Sequence, residues 1–393
     1  MSRATRQGII RKLQSLRDDR LVIAYITSTR TGHEIQIADD VLRLIYEHLE
    51  AGRELAKKGV DLFIHSNGGS GTVPWRLVSL IREYTKDFHV LVPHSAFSAA
   101  TLIALGADKI VMHKMGCLGP IDPSVANIFN PPHPQAPAQL APISVEDVTA
   151  YFKMVKEEIG ITHEDELIQA LIGLTDKIHP LALGNVQRHH NQSRMMARKL
   201  LKQHMITEEE EHEIGQIIDN LKSNLFFHAH PINRNEALKD LKLKVIAPNE
   251  EIESLMWNLY IEYENEMKLN EPFNPIHEID LKDTPTAPAA LTTKDIVQQI
   301  VQLAQNGVAL PQVSEEQIVK LAVAMIPFVS GGKPKANNKI KINDISGVYI
   351  ESINRTDVFR TNLALERATI NTSAGPQDGV KQEVLWQRWE SEI

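Results

Sequence analysis

Two short apolar runs, each closed by a polar turn that leads straight into a helix-forming stretch, sit within Asp61–Ser124 and set what this chain can fold into. Residues 60–65 and 88–92 have strand length and are mostly apolar, the pattern of strands covered on both faces. The first ends in Ser66-Asn67-Gly68-Gly69-Ser70-Gly71, and the second in Pro93-His94-Ser95-Ala96-Phe97-Ser98. Strands that alternate with helices of this length predict right-handed βαβ crossovers and a mainly parallel sheet. Ligands bind such sheets beyond the carboxyl ends of the strands, so both turns are expected on one side.

The flanking sequence continues the alternation. Residues 5–18 space Ile9, Ile10, Leu13 and Leu16 as an amphipathic helix, and 21–26 reads as a buried strand. Val41 to Leu49 gives a second helix stopped at Gly52, and further helices are expected over 73–85 and from Ser98 to about Ala107, with a strand at 109–113. Asn127 to Pro142 is Pro-rich, which disfavours helix and central strand and predicts a loop. Helices are then expected near 145–159, 162–174, 181–204, from Thr207, briefly from Asn233, and over 250–267, with a small strand at 243–246. The acidic, Pro-containing segment 269–291 reads as a linker that closes a domain over 1–268. Beyond it, 292–334 reads as helical, and 335–393 turns to period-two patterns, a small β-rich C-terminal appendage.

Composition narrows the function classes. At 393 residues with 42% hydrophobic content, the chain can build a full core. A net charge of -8 supplies no basic field, so nucleic acid is not expected as a partner. Cys117 is the single cysteine, which excludes an intrachain disulfide and a four-cysteine zinc site and suits a reducing compartment. The N-terminus lacks a signal-peptide apolar region, and no window reaches the roughly 18 to 20 apolar residues of a membrane span. The expected location is therefore cytoplasmic, with peripheral membrane contact or a membrane-protein substrate left open.

The central stretch combines groups suited to acyl transfer. A serine hydroxyl is a weak nucleophile and requires a base, oxyanion donors and an uncrowded surrounding. Ser98 precedes small Ala99 and Ala100, and the Ala99 N–H is one candidate oxyanion donor. Gly68 and Gly69 are candidates for the other, since a residue without Cβ lets a substrate approach its backbone. Serine before an Ala-rich helix is most often an N-cap, and Ser95 competes as the nucleophile. The Gly turn in the same βαβ frame moves the reading to a nucleophilic Ser98.

These residues, with Gly106-Ala107-Asp108-Lys109-Ile110 and Leu118-Gly119-Pro120-Ile121-Asp122, resemble the Clp protease and crotonase superfamily. Within it, the stretch is most similar to signal peptide peptidase A and the serine dehydrogenase proteinase family, over about residues 20–260. The resemblance implies a crotonase/Clp-like α/β spiral of βαβ units with helical additions. It also implies a serine endopeptidase with Ser98 as nucleophile and Gly68, Gly69 and Ala99 at the oxyanion hole. Ser70, His94, Leu118 and Gly119 are expected along the substrate. Clp proteases carry a histidine base where this chain has Ile121 or Asp122. Signal peptide peptidases use a later lysine, and Lys177-Ile178-His179-Pro180 resembles that place.

Lys177 is therefore the expected base, with His179 and Lys153 as alternatives. A lysine base must be largely neutral, so it needs an apolar wall, for which Ile168, Leu171, Ile172, Leu174 and Ile178 are candidates. No cofactor or metal is implied; adjacent His189 and His190 diverge by about 100° on a helix and do not make an i, i+4 ligand pair. The partners implied are a peptide or protein substrate and further copies of the chain in a homo-oligomer, with a protein partner for the C-terminal appendage left open. Two other readings are carried forward: an acyl-CoA enzyme using the same oxyanion hole for an enolate, and an inactive scaffold.

Overall fold

The computed structural model describes residues 3–121, 124–125, 127–133, 136–141, 143–223, 230–283, 340–372 and 375–392. In chain order, α1 (Arg3–Leu16) leads to β1 (Leu21–Thr27), then α2 (Val41–Ala51) and one-turn α3 (Arg53–Ala56) lead to β2 (Val60–His65). Helix α4 (Val73–Arg82) connects to β3 (Phe88–Val92), and β4 (Ser95–Ala96) with α5 (Ala99–Leu105) connects to β5 (Lys109–Met112) and β6 (Cys117–Leu118). Every strand and crossover helix expected in this stretch is present, with ends moved by a few residues.

Four strands pair in parallel in the order β5-β3-β2-β1, so the chain steps across the sheet in one direction. Alternate residues then face opposite helical layers, as the two-residue period of a strand requires. Leu21, Ile23, Tyr25, Leu62, Ile64, Val90 and Val92 join a core built with α2, α4 and α5. Val22, Ala24, Ile26, Phe63 and Leu91 join a second core with Ile10 and Leu13 of α1. The same second core takes Met256, Leu259, Tyr260 and Tyr263 from α11 (Glu250–Met267). Cover on both faces explains why these strands show no polar alternation.

After β6 come β7 (Ser124–Val125), β8 (Pro132–His133), β9 (Ala136–Leu140) and β10 (Ile143–Ser144). The Pro-rich segment expected as a loop thus holds a β8–β9 pair; both are edges of a two-stranded sheet, where proline is tolerated. Helix α6 (Val145–Lys153) runs into a π-helical turn at 154–158, followed by α7 (Glu164–Thr175), α8 (Pro180–Leu201) and α9 (Glu208–Ser223). Next come β11 (Ile232–Asn233), α10 (Arg234–Lys239) and β12 (Val245–Ile246), which extends the parallel sheet beyond β5. Then follow α11, α12 (Pro275–Asp283), β13 (Ile340–Glu351), β14 (Thr356–Thr372) and β15 (Gly375–Glu392). Among the described residues, no helix is long and apolar enough to cross a membrane.

The chain divides into two compact units, Met1–Pro272 with Ser346–Arg360 and Arg388–Ile393, and Phe273–Ile345 with Thr361–Gln387. The tail holds β13, β14 and β15. The free edge of β1 would otherwise be a row of unpaired amides and carbonyls beside the core. β13 covers it in antiparallel register, Ala24 against Glu351 through Thr27 against Val348. Buried Glu351 secures the join by accepting hydrogen bonds from Arg6 Nε at 2.7 Å, Tyr263 at 2.7 Å and Thr356 at 2.8 Å. In the smaller unit, Phe273, Ile279, Ile342, Leu363 and Leu365 form a separate apolar cluster. The expected linker is helical at α12, and the expected helical segment 292–334 lies outside the described residues.

Candidate active site

The two turns lie side by side because their backbones bond to each other. Ser66 N–H donates to Ser95 O at 3.0 Å, and Phe97 N–H donates to Ser66 O at 2.9 Å. This carries the parallel pairing of β2 and β3 past their ends and brings Ser98 beside the Gly turn. An N-cap serine holds extended backbone angles and accepts an amide of the first helical turn through its side chain. Ser98 does neither: its φ is 52° and ψ is -113°, and its side chain makes no capping bond. It sits half-buried on a strained strand-to-helix turn, and among the described residues its Oγ has no hydrogen-bond partner.

Gly68 is what allows that turn to exist. Its φ is 101°, and a Cβ there would lie 2.6 Å from Ser98 Cβ, 2.8 Å from Phe97 O and 3.1 Å from Ala99 N. The Gly68 N–H donates to Ser66 Oγ at 3.0 Å, and that hydroxyl also accepts from Thr27 Oγ1 at 2.8 Å. Gly69, at φ 152°, presses on the Ile37 backbone, where Ile37 N–H donates to Gly68 O at 2.8 Å and Ser70 N–H donates to Ile37 O at 2.9 Å. In that parallel register Gly69 turns its own N–H away from Ile37. Of the three amides expected as oxyanion donors, that of Gly68 is engaged, whereas those of Gly69 and Ala99 have no acceptor among the described residues. Helix α5 is only seven residues long, so it brings the Ala99 amide rather than a large dipole.

The other expected lining residues separate by environment. Ser70 is half-buried and its Oγ is 3.0 Å from Thr72 Oγ1. Leu118 is wholly buried in the core, on a strand paired with β4 and β11, so its side chain lines no cleft. Gly119 lies against the Phe97 ring, and its N–H and C=O both bond to Thr101 Oγ1, at 3.1 and 2.9 Å. His94 stacks on Tyr260 at 5.0 Å with its Nδ1 3.3 Å from Ser95 Oγ; burial lowers its pKa.

Sequence reasoning did not foresee one polar chain behind the turn. His65 is fully enclosed, with Nδ1 3.1 Å from Ser95 Oγ and Nε2 3.1 Å from Thr29 Oγ1. Burial, with a smaller contribution from His94, lowers its pKa to about 3, so it is neutral at ordinary pH. Ser95 is thereby bonded and buried, unlike Ser98. Tyr260 and Trp257, which stack on His94 and His113, come from distant α11 and leave no local pattern beside the turns.

Residues 2–180 match the family of ClpP-like SDH-type serine proteinases. That segment is similar to the family and makes up somewhat less than half of the chain. Two uncharacterized proteins of Methanocaldococcus jannaschii are similar, one 36% identical over 104 residues (26% of this chain, 36% of the relative) and one 38% identical over 66 residues (17% and 23%). The chain thus spans about a third and a quarter of the lengths of these relatives. Among solved structures, a mutant of the 1510-N membrane-bound stomatin-specific protease matches with a TM-score of 0.33 and 14% identity, over 59% of this chain and 82% of that one.

Among the described residues, the expected base is not joined to the serine within one chain. Lys177 follows α7 and is exposed, and Ile168, Leu171 and Ile172 of its expected apolar wall are 52%, 43% and 53% exposed. Leu174 and Ile178 are half-buried. His179 instead caps α8, its Nδ1 accepting the Leu181 N–H at 3.1 Å while its ring stacks on Phe129. Lys153 is exposed, with its Nζ 3.9 Å from Glu157. At the place of the Clp histidine, Ile121 is buried, and Asp122 lies outside the described residues.

Proposed function

We propose that this chain is a serine peptidase with Ser98 as its nucleophile and Lys177 as its base, completed in a homo-oligomer. The observation that carries the reading is the strained Ser98 turn, whose hydroxyl has no partner among the described residues, near the amides of Gly69 and Ala99, which have no acceptor among them either. Neutral Lys177 takes the proton from Ser98 Oγ as Oγ attacks the substrate carbonyl carbon. The two amides hold the oxyanion, and the ammonium passes its proton to the leaving amine as the C–N bond breaks. Water, deprotonated by the same lysine, then cleaves the acyl ester to release the acid and restore Ser98.

Exposure of Lys177 in the single chain is the reason the reading includes an oligomer. No residue of α7 is buried, and an assembly that covers its apolar side would strip water from Lys177 and favour the neutral amine. An acyl-CoA enzyme would use the same amides for an enolate but would leave the Ser98 hydroxyl without a role. A fluorophosphonate probe tests the proposal. Labelling is expected in the wild type and in Ser95→Ala and is lost in Ser98→Ala; an intact, unlabelled oligomer refutes an activated serine. Lys177→Ala is expected to lower peptide turnover by roughly 10²–10⁴-fold with the fold kept. Near-normal turnover would move the base to His179 or Lys153.

A further inference from the structure

Thr101 is wholly buried on the first turn of α5, three residues after Ser98, and its side chain is used in an unusual way. A helical threonine commonly bonds back to a carbonyl of its own helix. Thr101 Oγ1 instead lies 2.7 Å from Ala96 O, on the strand before Ser98, and 2.9 Å from Gly119 O, on the chain leaving β6. It also accepts the Gly119 N–H at 3.1 Å. One hydroxyl therefore ties three backbone groups from the two segments that flank the nucleophile turn.

The opposite side of Gly119 is set just as closely. A Cβ there would come within 2.8 Å of Phe97 Cδ1, so Gly119 is held between the Phe97 ring and the Thr101 hydroxyl. Phe97 and Ala96 immediately precede Ser98. Any loosening of Gly119 from Thr101 therefore moves the residues that aim the serine. The residues that carry these backbone groups are buried, so loss of the hydroxyl removes a bond that water cannot readily replace.

We propose that Thr101 is a positioning residue that fixes Ser98 against the Gly119 segment through its hydroxyl. The inference rests on the peptidase reading above, since it concerns the aim of the same serine. Near-attack geometry is steep in distance, and a displacement of about 1 Å costs on the order of 100-fold in rate.

The test is the rate constant of fluorophosphonate labelling, together with kcat and KM on a peptide substrate, well below the unfolding temperature. Thr101→Val keeps the shape and removes the hydroxyl; it is expected to label to the wild-type extent but about 10- to 100-fold more slowly. The loss should fall in kcat rather than KM. Thr101→Ser restores the hydroxyl and is expected within a few-fold of wild type. A purely structural role would lower the fraction labelled and leave the rate constant of the folded fraction unchanged, which would overturn the proposal. So would a Thr101→Ser variant as slow as Thr101→Val. If Thr101→Val does not fold, Thr101→Cys, with its weaker hydrogen-bonding thiol, takes its place, and a wild-type rate there also overturns it. A wild type that never labels refutes the peptidase reading itself, and this inference with it.

Discussion

Replacing Gly68 by alanine tests the geometry of the site more directly than removing the nucleophile. The added methyl has two costs. At φ 101° an L-residue is strained, by roughly 1–3 kcal/mol. Its Cβ would also stand 2.6 Å from Ser98 Cβ and 2.8 Å from Phe97 O, both closer than van der Waals contact allows. Those neighbours belong to the Ser98 turn, so relief comes by moving it about 1 Å, with overpacking of roughly 1–3 kcal/mol. The expected sum is a loss of roughly 2–6 kcal/mol in stability, read by urea unfolding. Labelling of the folded fraction should slow by about 100-fold. Gly71→Ala is the control: a Cβ there meets nothing within 4 Å, and wild-type labelling is expected. A Gly68→Ala protein with unchanged stability and labelling would refute the claim that this glycine makes room for the serine.

Acid should weaken the fold through His65. Its pKa is ordinary, near 6.5, when unfolded and about 3 when folded, so the unfolded chain binds the extra proton; this stabilisation is complete above pH 6.5 and is lost as pH falls toward 3. Between pH 7 and 5 the loss is roughly 2 kcal/mol, and His65→Gln should flatten the unfolding free energy by about that amount; an equally steep variant would refute the assignment. Glu351→Ala should cost about 3–5 kcal/mol because it removes the hydrogen-bonded carboxylate of the buried Arg6 guanidinium and leaves only Glu266, at 3.9 Å. Arg6→Met with Glu351→Leu should recover most of that in thermal melts, and no recovery would show that shape rather than charge pairing holds β13 in place.

Legibility in the sequence followed range. The βαβ core was readable because strands buried on both faces and helices with one apolar stripe each leave a local pattern, as in Leu21–Thr27 and Val41–Ala51. The two turns were readable because glycine and small residues mark backbone that must approach closely. The pairing of β13 with β1 was not, since more than 300 residues separate Ile26 from Tyr349 and each strand looks the same whichever partner it takes. The φ of Gly68 and its closeness to Ser98 suit the motif, but the bond from its amide to Ser66 Oγ depends on a hydroxyl rotamer no spacing encodes. The burial of the Leu118 side chain was not readable, because a leucine beside a site and a leucine beneath it have the same sequence context.

What holds Ser98 in its strained conformation bears on why a serine is there. The turn is fixed by Phe97 N–H to Ser66 O at 2.9 Å, Ala100 N–H to Phe97 O at 2.9 Å and Leu102 N–H to Ser98 O at 3.1 Å, all backbone bonds. Thr101 adds its bonds to Ala96 and Gly119, and Gly68 supplies the space. None of these uses the Ser98 side chain. Stability alone would favour glycine at φ 52°, which tolerates that angle without strain, and packing alone would accept alanine. An N-cap would justify serine, but the capping bond is absent. The fold thus bears a cost of roughly 1–3 kcal/mol at a residue whose hydroxyl makes no hydrogen bond among the described residues. The proposed nucleophile role gives that hydroxyl a use that neither an inert scaffold nor an enolate-stabilising oxyanion hole provides, and the same proposal brings the base from a neighbouring copy.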